Sequence, residues 1–328
     1  MIRSCCLVVN PAAGGGRTGQ LLATVRGVLD DADVGHQICA SDSLEHAREL
    51  AAAAAGRGDV AVAFGGDGMV GALAAAVTGA DGVLGIIPVG RGNDFARTLG
   101  MPLRPADAAR VLAEGRVRRV DLIGVGRAQA GGATASAAPA AGAPAAGAPA
   151  AGVDEMIVAG SVYLGIPAAT AEIARRSAFP RGEMAYPAAA LRAVLGWRTT
   201  TFRLELHDGA HASALEFDGA AAVVANSRYF GAGMMVAPKA DPCDGLLDVV
   251  YIQGSSKTAM IHALTKIKKG RHVSMSQIGT GRAREVTVVV GRAVPGGADG
   301  ELLSCASPLN PAAPLRIRAL PGALQVVS

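Results

Sequence analysis

Aromatic residues are scarce, only 3% of a 328-residue chain with a single Trp. A core must therefore be filled by Ala, Val, Leu and Ile, and the abundance of alanine reads as composition bias rather than function. Cysteine is also sparse. Cys5, Cys6, Cys39, Cys243 and Cys305 form an odd set without metal-ligand spacing, which excludes a thiolate metal site and reads as reduced, cytosolic thiols. Charge of one sign is lacking too. A formal net charge of +4 is too weak to imply nucleic acid, although it favours contact with an anionic membrane surface. No long apolar run is present. The best stretch, Gly71 to Gly90, carries Asp81, several glycines and Pro88, so no membrane span is expected. The start, MIRSCCLVVNP, has one Arg and an apolar run too short for a signal core.

Half of the residues are hydrophobic and the length suits two domains. Apolar strands are expected at Cys6–Val9, His36–Ala40, Val60–Phe64 and Val83–Val89, with helices through Leu29, at Leu44–Ala55 and at Val70–Val77. That alternation predicts a parallel α/β domain over residues 1–116, with ligands outside the carboxyl ends of its strands. Beyond Arg116, alternating segments at Val117–Val125, Thr199–His207, Leu215–Ala225, Leu246–Ile252, Glu285–Val290 and Leu315–Leu320 predict an antiparallel, sandwich-like β domain over 117–328. One helical block, about Ala168 to Trp197, interrupts it. The C-terminal tail is expected to pack back on the first domain. Residues 128–152, an Ala/Pro/Gly repeat, are expected to be a disordered insert without chemistry.

Glycine clusters follow the parallel strands. Asn10-Pro11-Ala12-Ala13-Gly14 could cradle phosphate oxygens on backbone N–H groups, or be a plain turn. It lacks the Lys-Ser/Thr ending of a P-loop, which excludes that motif. Gly65-Gly66-Asp67-Gly68 could lay its backbone against a phosphate chain, with Asp67 on Mg²⁺ or simply solvated. In Gly90-Arg91-Gly92-Asn93-Asp94, Asn93 reads as a helix N-cap and Asp94 as a first-turn carboxylate, which capping alone would explain.

NPAAGG, FGGDG and GRGNDFAR, in this order, resemble the diacylglycerol kinase catalytic family, soluble bacterial lipid kinases related to the sphingosine and ceramide kinases. The segments NSRYFGAGM (226–234), APKADPCDGLLDV (237–249) and Asp299-Gly300-Glu301 extend the resemblance across nearly the whole chain outside the insert. The resemblance implies an ATP- and Mg²⁺-dependent transfer of phosphate to a lipid hydroxyl, diacylglycerol first. It implies a nucleotide site at Asn10 to Gly14, Ser41, Gly65 to Gly68, Gly90, Arg91, Asn93 and Asp94. Asp67 would handle the catalytic Mg²⁺, Glu301 would be the general base and Asp299 its support. A structural Mg²⁺ would sit on Asp241, Asp244 and the Leu246 carbonyl, and Arg97 and Asp121 would belong to a charge network between the domains. The implied partner is a lipid at the inner face of the membrane, reached from the cytoplasm, and a homodimer is left open.

The chain departs from that family where Met69, Gly71 and Ala72 replace Thr, Asn and Glu, where Arg91 replaces Thr, and where the acidic residue after Gly165-Ile166 is missing. Two other readings follow: a catalytically weak nucleotide- or lipid-binding relative, and a kinase of a soluble substrate such as an NAD kinase. Lys266 to His272, after the apolar Met260–Leu264, reads equally as a headgroup contact or a solvated helix end. The helical block with Ile173, Phe179, Tyr186, Leu191, Leu195 and Trp197 could line an acyl cleft or pack as core.

Overall fold

The structure is a computed structural model, and it describes residues 2–11, 18–127, 155–176, 185–209, 211–303 and 314–328. Ala12, Ala13, Gly14, Phe179, Cys305 and the 128–152 insert lie outside them. Four parallel strands open the chain: β1 (Ser4–Val9), β2 (Gly35–Ala40), β3 (Val60–Gly65) and β4 (Val83–Pro88), in the order β2-β1-β3-β4. The strand SCCLVV is apolar throughout because both of its faces are covered. Cys6 and Val8 enter the core under α2 (Leu44–Gly56) and α3 (Asp67–Gly79). Cys5, Leu7 and Val9 enter the opposite core, under α1 (Thr18–Asp31) and α5 (Pro105–Glu114). The short α4 (Asp94–Thr98) precedes α5. The described cysteines are free, and burial pushes the Cys5 and Cys6 thiols up to about 12, which keeps them unreactive.

The second part is antiparallel. It runs β5 (Val117–Arg127), β6 (Met156–Val158), β7 (Ser161–Gly165), α6 (Ile166–Arg176), α7 (Ala185–Gly196), β8 (Thr200–Asp208), β9 (His211–Ala225) and β10 (Leu247–Gln253). Then come α8 (Lys257–Ile267), β11 (Ile278–Ala283), β12 (Glu285–Val290), β13 (Gly296–Ala298), β14 (Glu301–Leu302) and β15 (Leu315–Val327). β15 pairs with β5 along most of its length, with β12 near its start and, in parallel, with β4 at Gln325 and Val326. One hydrogen-bonded sheet thus passes from one half of the molecule into the other. Leu324 and Val326 are buried in the core of the first half.

Three local readings change. Helix α3 begins at Asp67 rather than Val70, so the carboxylate sits at its positive N-terminal end. Leu164 and Gly165 end β7, and the helical block opens at Ile166, two residues ahead of the expected Ala168. Gly165 has φ +82°, and a Cβ there would stand 2.3 Å from the Ala220 carbonyl oxygen. Asn93 does not cap α4 with its side chain. It is left-handed, φ 52°, and its carboxamide brackets Gly90, accepting from the Gly90 N–H at 3.0 Å and donating to the Gly90 carbonyl at 2.9 Å.

Candidate active site

The loops after β3 and β4 meet glycine against glycine. A Cβ on Gly90 would lie 2.5 Å from the Gly66 Cα, and one on Gly92 would lie 2.5 Å from Asp67 Oδ2. A Cβ on Gly65 would strike the Met69 side chain at 2.6 Å. These glycines are needed because the loops pack on each other and on Met69. Gly68 is different: a Cβ there meets nothing within 4 Å. Gly68→Ala is therefore expected to leave the melting temperature unchanged or raise it, since Ala gains about 0.8–1 kcal/mol over Gly in a helix. A rise in KM for ATP in that variant, read in a steady-state assay, would reveal a phosphate lying against the position.

Asp67 and Asp94 are locked together. The Asp94 N–H donates to Asp67 Oδ1 at 2.5 Å. The Asp94 carboxylate turns to the other half of the molecule, where it accepts from Gly233 N–H at 2.7 Å and Ala232 N–H at 3.2 Å. That loop has consecutive positive φ angles at Gly231, Ala232 and Gly233, which aim its amides at one acceptor. Asp94 therefore does more than cap a helix. Thr98 Oγ1 and Ser227 Oγ, 2.6 Å apart, add a third bond across the seam.

Asp299 approaches from the opposite wall. Its Oδ2 accepts from Ala159 N–H at 2.6 Å, and its Oδ1 accepts from Gly160 and Ser161 N–H at 2.8 and 3.1 Å. Gly71 makes room for it, because a Cβ there would lie 3.1 Å from Asp299 Oδ2. Asp67, Gly71, Arg91, Gly92, Asp94, Asp299 and Gly300 line one 440 Å³ cleft, with Tyr163, Tyr186 and Phe230 at its apolar end. Arg91 is exposed at this cleft, and Glu301, next after Gly300, is exposed at its edge without being one of the lining residues. Asn10 and Pro11 follow β1, and Ser41 is buried beside them, its N–H and hydroxyl both donating to the Val9 carbonyl.

The electrostatics follow from this crowding. Burial, then the Asp67 charge, pushes Asp94 up to about 6. Burial also pushes Asp299 up to about 6, against its three amide bonds and with the Asp67 charge adding. Both folded values lie above the unfolded one, so each group contributes stability at low pH that is lost as pH rises from about 4 through about 6. In metal-free buffer the unfolding free energy is expected to fall across that window, by at most about 3 kcal/mol for Asp94. Asp94→Asn flattens the slope in denaturant titrations at stepped pH, whereas an unchanged slope would place the titration elsewhere.

The remaining sites stand apart. Asp241 Oδ1 accepts from Cys243 N–H, and Asp244 Oδ1 from Leu246 N–H. Asp244 Oδ2 is ion-paired with Arg282, which also reaches Asp248 at 3.3 Å. The guanidinium supplies the positive charge there, so this donor set as arranged does not fit a second cation. Arg97 and Asp121 act on backbone rather than on each other. Arg97 Nε donates to the Gly92 carbonyl, and Asp121 accepts from Gly245 and Gly322 N–H, both at 2.7 Å. Sequence reasoning missed Tyr163 and the Ala159–Ser161 amides. They stand in short strands and turns with no motif around them, and only the fold brings them to Asp299.

Residues 4–125 match the diacylglycerol kinase catalytic domain, and residues 160–328 match the YegS C-terminal NAD kinase beta sandwich-like domain. A diacylglycerol kinase of Mycobacterium tuberculosis is 34% identical over 286 residues, covering 86% of this chain and 81% of its own. The chain belongs to the diacylglycerol kinase catalytic domain family. A Bacillus subtilis diacylglycerol kinase is 25% identical to this kinase over 266 residues, covering 80% of this chain and 77% of its own. A crystal structure of a diacylglycerol kinase from Bacillus anthracis shares the fold of this kinase, with a TM-score of 0.68 at 18% identity over 99% of this chain and 96% of that one. The chain is thus a lipid-kinase-family enzyme that uses ATP, built from a parallel α/β domain and an antiparallel β-rich domain.

Proposed function

We propose that this kinase moves the γ-phosphate of ATP, bound with Mg²⁺, to the hydroxyl of a membrane lipid, diacylglycerol first. The observation that carries the reading is the cleft itself. Asp67 enters it from one half of the molecule and Asp299-Gly300 from the other. At its apolar end Tyr186 and Phe230 also wall a second, 360 Å³ cavity lined mainly by aliphatic side chains. A charged end and an oily end in series suit a headgroup and its chain.

Asn10, Pro11, Ser41, Gly65, Gly66, Gly68, Gly90 and Arg91 would hold the nucleotide, with Asn93 shaping the loop. Three carboxylates whose charges oppose one another around one cleft suit a divalent cation. Among the described residues no group of three acidic, His or Cys side chains is close enough to hold a metal alone. Mg²⁺ takes one or two carboxylates and leaves the rest to phosphate and water. Asp67 would hold it, and bound there it would neutralise charge on the phosphates. Asp299 fixes the hairpin through its amide bonds, and Glu301 beside it would take the proton of the attacking hydroxyl.

No helix among the described residues is long and apolar enough to cross a membrane, so the lipid would be reached at the bilayer surface. Leu191 and Leu195 are exposed on α7, which packs on α8. Lys268, Lys269 and Arg271 are exposed beyond the end of α8, whereas His272 is buried and takes no part in a basic surface. This face would meet anionic headgroups on the cytoplasmic side.

Incubation with ATP labelled at the γ-phosphate and a panel of neutral lipids in mixed micelles tests the reading. Label in phosphatidic acid, lost in Glu301→Ala, is the expected result. Nucleotide binding without any labelled lipid would favour a binding protein, and label on a soluble acceptor would favour a kinase of another substrate.

A further inference from the structure

Arg282 lies opposite Asp248 in the antiparallel pairing of β10 with β11. Its Nε donates to Asp248 Oδ2 at 3.3 Å, and another nitrogen of the same guanidinium is ion-paired with Asp244 Oδ2. One planar cation thus bridges two carboxylates. The loop leading up to them is turned by its own aspartates. Asp241 Oδ1 accepts from Cys243 N–H at 3.1 Å and Asp244 Oδ1 from Leu246 N–H at 3.0 Å. The loop is also clasped to the strands that join the two halves. The Asp121 N–H of β5 donates to the Pro242 carbonyl at 2.6 Å. The Asp121 carboxylate accepts from Gly245 N–H and, on β15, from Gly322 N–H, both at 2.7 Å. Arg228 Nε donates to the Ala240 carbonyl at 2.9 Å where the loop begins.

Asp241 and Asp244 oppose the charge of Asp121, and Asp244 opposes that of Asp248. A loop that sets like charges together needs a counter-charge. The family resemblance implies a divalent ion on Asp241, Asp244 and the Leu246 carbonyl. An ion on Asp244 would compete with the guanidinium for Oδ2 and be repelled by it. We propose that Arg282 is the resident cation of this loop, bridging Asp244 to Asp248 where a divalent ion would otherwise sit, so that the loop keeps its shape without metal. A cation carried on β11 cannot dissociate, whereas the hold of a bound ion varies with its concentration. Arg282 is exposed, so ions in solution can reach the pair and the claim is open to direct test. It does not depend on the lipid-kinase reading, because neither nucleotide nor lipid enters that test.

The test compares melting curves in EDTA with curves in about 5 mM Mg²⁺ or Ca²⁺. Asp67→Asn serves as the parent, so that the cleft carboxylate proposed for Mg²⁺ is absent. Only the part of an ion's effect that Asp244→Asn abolishes is counted, which sets aside binding elsewhere. In the parent that part is expected to stay within about 1 °C of zero. Adding Arg282→Ala is expected to lower the melting temperature in EDTA by about 3 °C, and the ion is expected to restore at least about half of the loss. Arg282→Gln, which keeps a donor without the charge, gives the same reading where the alanine variant does not fold. A parent stabilised by the ion through Asp244 overturns the proposal, because the loop then binds metal with Arg282 in place. So does an Arg282 variant that melts with its parent, or one that no ion restores, since the guanidinium would then not be standing where a cation can.

Discussion

Asp67→Ala is expected to lower kcat for lipid phosphorylation by at least about a thousandfold, because it removes the carboxylate proposed to hold the cation at the transferring phosphate. The same change does not loosen the fold. Asp67 raises the protonation of both Asp94 and Asp299, so its charge opposes theirs in the free enzyme. Removing a like charge offsets the loss of the single bond from the Asp94 N–H. Melting temperature should therefore hold or rise while turnover collapses. Asp67→Asn, which keeps an oxygen for that N–H, should show the same loss of kcat with still smaller structural change. A variant that unfolds and loses activity in parallel would instead make Asp67 a strut of the loop pair, and the assignment of the metal to it would be wrong.

The two carboxylates of the Asp299-Gly300-Glu301 turn are expected to separate cleanly. Glu301→Gln leaves every amide bond to Asp299 in place. It should lower kcat by about 10²–10⁴-fold, the usual range for a lost general base, with KM for ATP unchanged and stability within about 0.5 kcal/mol of wild type. Asp299→Asn replaces an acceptor-only group by one with two N–H donors, facing the Ala159, Gly160 and Ser161 amides. At least one of those amides loses its partner, so stability and kcat fall together. Circular dichroism melts beside steady-state kinetics read both outcomes. Should Glu301→Gln keep its rate while a folded Asp299→Asn loses it, the proton acceptor is Asp299 and Glu301 is a surface carboxylate.

Much of this was legible in the sequence, for reasons that differ along the chain. The strand SCCLVV is apolar on both faces, and the glycine loops after Phe64 and Val89 follow strands that cannot be anything but buried. Local pattern therefore carries the first half. The helix PADAARVLAE has Pro105 at its start and Gly115, φ 70°, at its end, signals fainter than the glycine loops before them. Strand β11, IGTGRA, is too rich in glycine to look like a strand. Gly279 belongs there because the Tyr251 ring of β10 lies across it, so that a Cβ would stand 1.9 Å from the ring. The least legible features are the longest-range ones. Asp94 reads as a helix cap, yet its acceptors serve amides 138 and 139 residues away. The spacing of residues around Asp94 holds no trace of Ala232 and Gly233, and the same is true of Asp299 and Ala159.

The most direct measurement is a crystal structure of the kinase with Mg²⁺, a non-hydrolysable ATP analogue and a diacylglycerol. The account expects the terminal phosphorus between Asp67 and the Asp299-Gly300-Glu301 turn, the lipid hydroxyl within hydrogen-bond reach of Glu301, and an acyl chain past Tyr186 and Phe230. A nucleotide bound away from Asp67, or a lipid hydroxyl out of reach of its terminal phosphate, would contradict it.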